Sequence, residues 1–191
     1  MQKMQISNIN IIKNMDFSEF YKKDIKKKLQ EELDLKNPMA VPSITKIVVN
    51  VGVGEAVSNK GVLEKVQEQI SLITGQKPII TKARKSVSVF KIRRGLAIGV
   101  KVTLRGKNMF SFLEKIIKIV LPRIRDFKGV SPNNIDNHGN LNLGFTEQTI
   151  FPEIDFDKID KIRGLQITVV TSAKSKEDGM KLFKVLGVPF S

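Results

Sequence analysis

Cysteine is absent from this chain of 191 residues, and histidine occurs once. The first absence excludes disulfides and thiolate metal sites. The second leaves His138 without the partners that a metal centre or a nucleophile–base–acid triad requires. Long apolar runs are missing too. The longest candidate, Ile116 to Leu121, is interrupted by Lys118 and followed by Pro122, far short of the roughly 18 apolar residues a membrane span needs. The N-terminus carries scattered apolar side chains but no continuous apolar stretch and no small-residue cleavage site, so it does not read as a secretory signal. Met15 offers a second start, which makes residues 1–14 an extension expected to be disordered. Residues 15–191 are expected to form a single domain.

Nucleotide and calcium motifs fail on inspection. The cluster Gly52-Val53-Gly54 has Val57 where a dinucleotide fingerprint needs glycine. Lys60 lies between Asn59 and Gly61, which is not a phosphate-binding loop. The glycines then either let the chain turn sharply or let RNA approach the backbone. Asp155, Asp157 and Asp160 begin like a calcium loop, but Ile159 stands at the third ligand position and no glycine follows it. No cofactor is implied, and no constellation supports catalysis.

What the chain has is positive charge, unevenly placed. It carries 33 Lys and Arg against 19 Asp and Glu, a net of +14. Residues 82 to 128 hold fourteen of those cations and two of the acids, Glu114 and Asp126, for a local net of +12. Charge so concentrated repels itself in a free monomer and favours a polyanion beside it.

Hydrophobic spacing supplies the frame. Apolar residues from Phe17 to Leu33 recur at helical intervals. Ile44 to Val51 is rich in β-branched residues, with Ile47, Val49 and Val51 on one face. Asn59 to Thr74 reads as a helix with Val62, Leu63, Val66, Ile70 and Ile73 inward and Gly75 as its C-cap. A short strand, Pro78 to Ala83, precedes an exposed loop or hairpin, Arg84 to Gly95. Leu96 to Arg105 alternates with period two. Asn108 is expected to cap a helix running to Leu121, kinked or ended by Pro122. Leu141 to Thr146 and Leu165 to Ser172 are strands, and Ser175 with Asp178 resembles a capping box for a last helix. About four helices and five strands predict an α+β two-layer sandwich, with a mostly antiparallel sheet and helices packed on one face.

The other sheet face is then open. Its expected residues are Lys46, Asn50, Lys101, Thr103, Arg105, Asn142, Gln166 and Thr168. A flat polar face of this kind is either merely solvated or hydrogen-bonds phosphates and 2′-hydroxyls. The segment from Lys82 to Arg94 is the strongest signal. Lys82, Arg84, Lys85, Lys91, Arg93 and Arg94 neutralise phosphates. Ser86 and Ser88 can donate to phosphate oxygens, and Phe90 either stacks on a base or anchors the loop. Without other interleaved aromatics, reading of shape and backbone is expected rather than base-by-base reading.

Long blocks also carry a family resemblance: KIVVNVGVGEA (46–56), TGQKPIITKARKSVSVFKIRRG (74–95), IGVKVTLRG (98–106), LPRIRDFKGV (121–130), GNLNLGFTEQTIFPEIDFDKIDKIRGLQITVVT (139–171) and a final Pro189-Phe190. From about Phe17 to Phe190 the chain resembles the bacterial-type large-subunit ribosomal protein five family, which binds 5S rRNA in the central protuberance. The resemblance implies a structural ribosomal protein, not an enzyme, in the cytoplasm on the large subunit or in an organellar ribosome. The 5S contacts it implies match Asn50, Gly52, Gln76, Lys77, Thr81 and Lys82. The loop matching Lys85 to Gly95 is implied to reach the P-site tRNA. The loop around 129–144, with Ser131, Asn134, Asp136, Asn137, His138 and Asn140, is implied to form an intersubunit bridge with small-subunit protein thirteen. Further implied partners are 23S-type rRNA and other 5S-binding large-subunit proteins, and no membrane.

Two other readings compete. A stand-alone RNA-binding regulator would use the same basic segment but be found mainly outside ribosomes. A peripheral membrane protein would want an amphipathic helix free to insert, whereas the apolar stripes here are needed to cover the sheet.

Overall fold

The computed structural model describes Tyr21 and residues 25–59, 61–125, 127–155 and 159–191. The extension 1–14 and most of the helix expected from Phe17 lie outside the described residues. The chain divides into two compact units. One comprises Lys46–Asn108 and Leu141–Val170, the other Met1–Thr45, Met109–Asn140 and Thr171–Ser191.

The first of these contains the sheet. Its strands are β1 (Ile44–Gly52), β2 (Ile79–Lys82), β3 (Ala97–Leu104), β4 (Leu141–Phe145) and β5 (Leu165–Thr171), in spatial order β2-β3-β1-β5-β4. β3 runs antiparallel to both β1 and β2, and β4 runs antiparallel to β5. Period-two alternation is visible in the burial. Ile47, Val49 and Val51 of β1, Val100, Val102 and Leu104 of β3, and Leu165, Ile167 and Val169 of β5 are all buried. One face is therefore apolar and covered. Part of the cover is the helix Gly61–Thr74, which packs on β2 and β3 and buries Leu63, Val66, Ile70 and Ile73 at helical spacing. Asn59 sits before this helix rather than in it, its side-chain oxygen accepting from the Gly61 N–H. Gly75 closes it with φ 67°. Each fully buried aliphatic side chain contributes about 1.5–3 kcal/mol. Leu104→Ala, at a site with no exposure, would therefore cost about 2–5 kcal/mol once the cavity is included.

The second unit is mainly helical. Numbered in chain order, α1 is Lys26–Glu32, α2 the helix just described, α3 Gly106–Lys115 and α4 Lys176–Val185. α1 packs against α4. Tyr21 lies 4.9 Å, ring to ring, from Phe110 and accepts the Ile44 N–H on its hydroxyl at 3.1 Å. Ser175 caps α4 by accepting the Asp178 N–H, as the sequence implies.

α3 departs from expectation. It begins at Gly106 and not after Asn108, because the chain needs the positive φ of Gly106 to turn out of β3 and then buries Met109 and Phe110 at once. The helix does not stop before Pro122. It widens into a π turn at Ile116–Val120 and ends in a short α turn, Leu121–Arg123. A proline ring clashes with the carbonyl four residues back, here that of Lys118. The wide turn lies where that clash would fall.

Candidate nucleic-acid interface

Antiparallel register assembles the uncovered sheet face into rows. Ile79 of β2, Lys101 of β3 and Asn50 of β1 stand side by side, and Thr81, Gly99 and Gly52 form the next row. Thr103 pairs across from Val48. Asn50, Gly52 and Lys101 are exposed, and Lys46, Thr81 and Thr103 are half-buried. Gln76 reaches the rim of this face, donating from Nε2 to the Thr103 carbonyl at 3.2 Å. Lys77, Lys82 and Arg105 are exposed at strand ends. Lys46, Lys77, Lys82, Lys101 and Arg105 thus bring five cations, and none of the ten expected rRNA positions is acidic. Farther along, Thr168 Oγ1 donates to Asn142 Oδ1 at 2.8 Å, and Gln166 is exposed.

The basic segment is a hairpin that prolongs β2 and β3. The Ala83 N–H donates to the Leu96 carbonyl, and the Val87 and Ile92 backbones bond each other in both directions. The Lys91 N–H closes the tip on the Ser88 carbonyl, with Lys91 at φ 55°. Ser86 serves the hairpin itself, because its hydroxyl accepts the Arg94 N–H at 2.9 Å. Arg84, Lys85, Lys91, Arg93 and Arg94 are all exposed. At the tip Val89 is 82% and Phe90 69% exposed, so Phe90 anchors nothing within the hairpin.

The loop of residues 131–140 lies in the helical unit and is held tightly. Ser131 accepts the Asn133 N–H, and Asp136 accepts the backbone N–H groups of His138 and Asn140 and the Asn140 amide. Burial pushes the Asp136 carboxyl up, but these donors outweigh it and hold it below the ordinary carboxylate value. Asn140 also accepts the Thr171 N–H on Oδ1. The side chains of Ser131, Asp136 and Asn140 are thus engaged within the protein. Asn137 and His138 are exposed, and Asn134 is half-buried. At the start of this loop, Val130 exchanges backbone hydrogen bonds with Pro189 and Ser191.

One charged cluster went unforeseen. Glu55, just after β1, pairs with Lys161 and Arg163, the latter at 3.4 Å. The Lys161 hydrogen bond is the main cause of its lowered carboxyl pKa. Of the acidic turn, Asp160 pairs with Lys65 of α2 at 2.7 Å, and Asp157 lies outside the described residues. Among the described residues no three His, Asp or Glu are placed to hold a metal, and no helix is long and apolar enough to cross a membrane. Ile79, exposed in the row of Lys101 and Asn50, is a further residue of this face that the sequence pattern does not single out.

A family model described as ribosomal protein L5 matches residues 37–93, and one described as the C-terminus of that ribosomal protein family matches residues 97–190. Among curated relatives, large ribosomal subunit protein uL5 of Syntrophomonas wolfei subsp. wolfei is 55% identical over 172 residues, covering 90% of this chain and 97% of its own. The protein of the same name from Dictyoglomus turgidum is 54% identical over 172 residues, covering 90% and 96%. That from Desulfotalea psychrophila is 50% identical over the same length and shares.

Proposed function

The chain belongs to the ribosomal protein L5 family, and on that footing we propose that it attaches 5S rRNA through its open sheet face, touches P-site tRNA through its basic hairpin, and bridges to the small subunit through the loop of residues 131–140. It is a structural, non-catalytic protein of the large ribosomal subunit, working with cytoplasmic ribosomes. The observation that carries the RNA reading is the uncovered face itself. Asn50, Lys101 and Thr103 stand on adjacent strands without acidic neighbours among the paired positions. Such a face offers amide and hydroxyl groups to 2′-hydroxyls, and cations to phosphates, without reading base order. The hairpin adds five exposed cations on a separate projection. On the loop, the bridging groups are the exposed Asn137 and His138, while Asp136 and Asn140 hold the shape. Contacts to 23S-type rRNA and to neighbouring 5S-binding proteins complete the assembly.

Filter binding of purified protein to 5S rRNA and to tRNA over a salt series tests this. Each neutralised phosphate lowers the logarithmic salt slope by about 0.7–0.9, so 5S affinity is expected to fall steeply with salt. Replacing Arg84, Lys85, Arg93 and Arg94 together by glutamine should weaken tRNA binding more than 5S binding. Salt-independent 5S affinity would overturn the phosphate-contact reading, and equal loss of both ligands would overturn the division of labour.

A further inference from the structure

We infer that residues 189–191, beyond α4, are positioning residues for the intersubunit contact, because they brace one foot of the loop that carries Asn137 and His138. This rests on the bridge reading and names what holds the bridging loop in shape.

The loop of residues 131–140 stands on two feet. At the far foot Gly139 has φ 73°, and a Cβ there would lie 2.7 Å from Ala173 Cβ and 2.8 Å from the Ser175 carbonyl oxygen. The Gly139 carbonyl accepts the buried Thr171 hydroxyl at 2.9 Å. That foot rests on the residues leading into α4. The near foot rests on the residues leading out of it. The Val130 N–H donates to the Pro189 carbonyl at 2.7 Å, and the Ser191 N–H donates to the Val130 carbonyl at 3.2 Å. Val130 and Phe190 thus form one rung of a parallel ladder. A Cβ on Gly129 would lie 2.6 Å from the Ser191 nitrogen and 2.8 Å from the Phe190 carbonyl carbon, so backbone lies on backbone.

The course of residues 189–191 is itself fixed. Gly187 turns the chain out of α4 with φ 87°. Its N–H donates to the Lys184 carbonyl, and the Val188 N–H donates to that of Phe183. This double closure satisfies the last carbonyls of the helix, and Val188 is buried. One helix and its two flanks therefore hold both feet of the loop. The brace runs through main-chain groups, so it needs the N–H of residue 191 and not its side chain. A loop already held in its bound shape loses little further freedom on contact. Released, the near foot would pivot on Gly129, which sits at φ 109° and has the widest backbone freedom of any residue type.

Ser191→Pro removes the donor, whereas Ser191→Ala keeps it. Ser191 is exposed, so both variants should fold. In sedimentation, large subunits carrying Ser191→Pro should associate with small subunits roughly fivefold less tightly, the scale of one backbone hydrogen bond. Ser191→Ala should behave like the parent, and 5S affinity should be unchanged in both. Amide exchange at Val130 and Asn134 should quicken in Ser191→Pro alone. Deleting residues 189–191 should reproduce the loss. Unchanged association in both Ser191→Pro and the deletion, or equal loss in Ser191→Pro and Ser191→Ala, overturns the brace and leaves the bridge reading standing. Undiminished association when Asn137 and His138 are both replaced by alanine overturns the bridge reading itself.

Discussion

Gly139 and Gly179 touch backbone to backbone: a Cβ on Gly179 would lie 2.5 Å from Gly139 Cα and 2.7 Å from its carbonyl oxygen. This contact presses the loop of residues 131–140 against the first turns of α4. Alanine normally gains about 1 kcal/mol over glycine inside a helix. Overpacking against backbone costs about 1–3 kcal/mol. Gly179→Ala should therefore lower the melting temperature by several degrees. A variant that melts higher would mean the loop moves aside freely.

Acid should loosen the same loop. Asp136 has a folded-state pKa below its unfolded value, so its stabilisation is present above the ordinary aspartate value of about 3.9 and is lost as pH falls through the lower, folded one. Exchange protection of the His138 and Asn140 amides should hold at pH 5 and fail in stronger acid. Asp136→Ala should abolish that transition by exposing both amides already at neutral pH.

Tyr21→Phe isolates one hydrogen bond. The ring keeps its packing on Phe110, but the buried Ile44 N–H loses its acceptor. The expected cost is about 1–3 kcal/mol in urea unfolding, with the slope unchanged. A neutral result would show that another group takes over.

Lys101→Glu addresses the sheet face. Lys101 is exposed between Ile79 and Asn50, so the melting temperature should stay within a degree or two. Affinity for 5S rRNA should fall, with a salt slope shallower by about one. Loss of the circular dichroism signal would show that the side chain supports the fold.

Sequence periodicity reaches as far as each element's own pattern does. The alternation through Val100, Val102 and Leu104, the spacing of Leu63, Val66, Ile70 and Ile73, and the Ser175 cap are all local signals, and each appears in the structure. The start of α3 is not local, since it follows from the turn at Gly106 and the immediate burial of Met109. Nor is the role of Ser86, whose chain-distant partner is the Arg94 backbone. The rows of the open face depend on register. Nothing in Thr81, Gly99 or Gly52 alone announces that they are neighbours. The ion pairs of Glu55 join residues more than a hundred positions apart, which no spacing rule spans.

The bareness of Gly52 has an evolutionary side. A strand glycine is less stable than alanine by roughly 0.5–1 kcal/mol, and here no neighbouring atom forbids the exchange. The protein thus stops short of its own stability maximum at the end of β1, and a laboratory selection for heat resistance would be expected to fill Gly52.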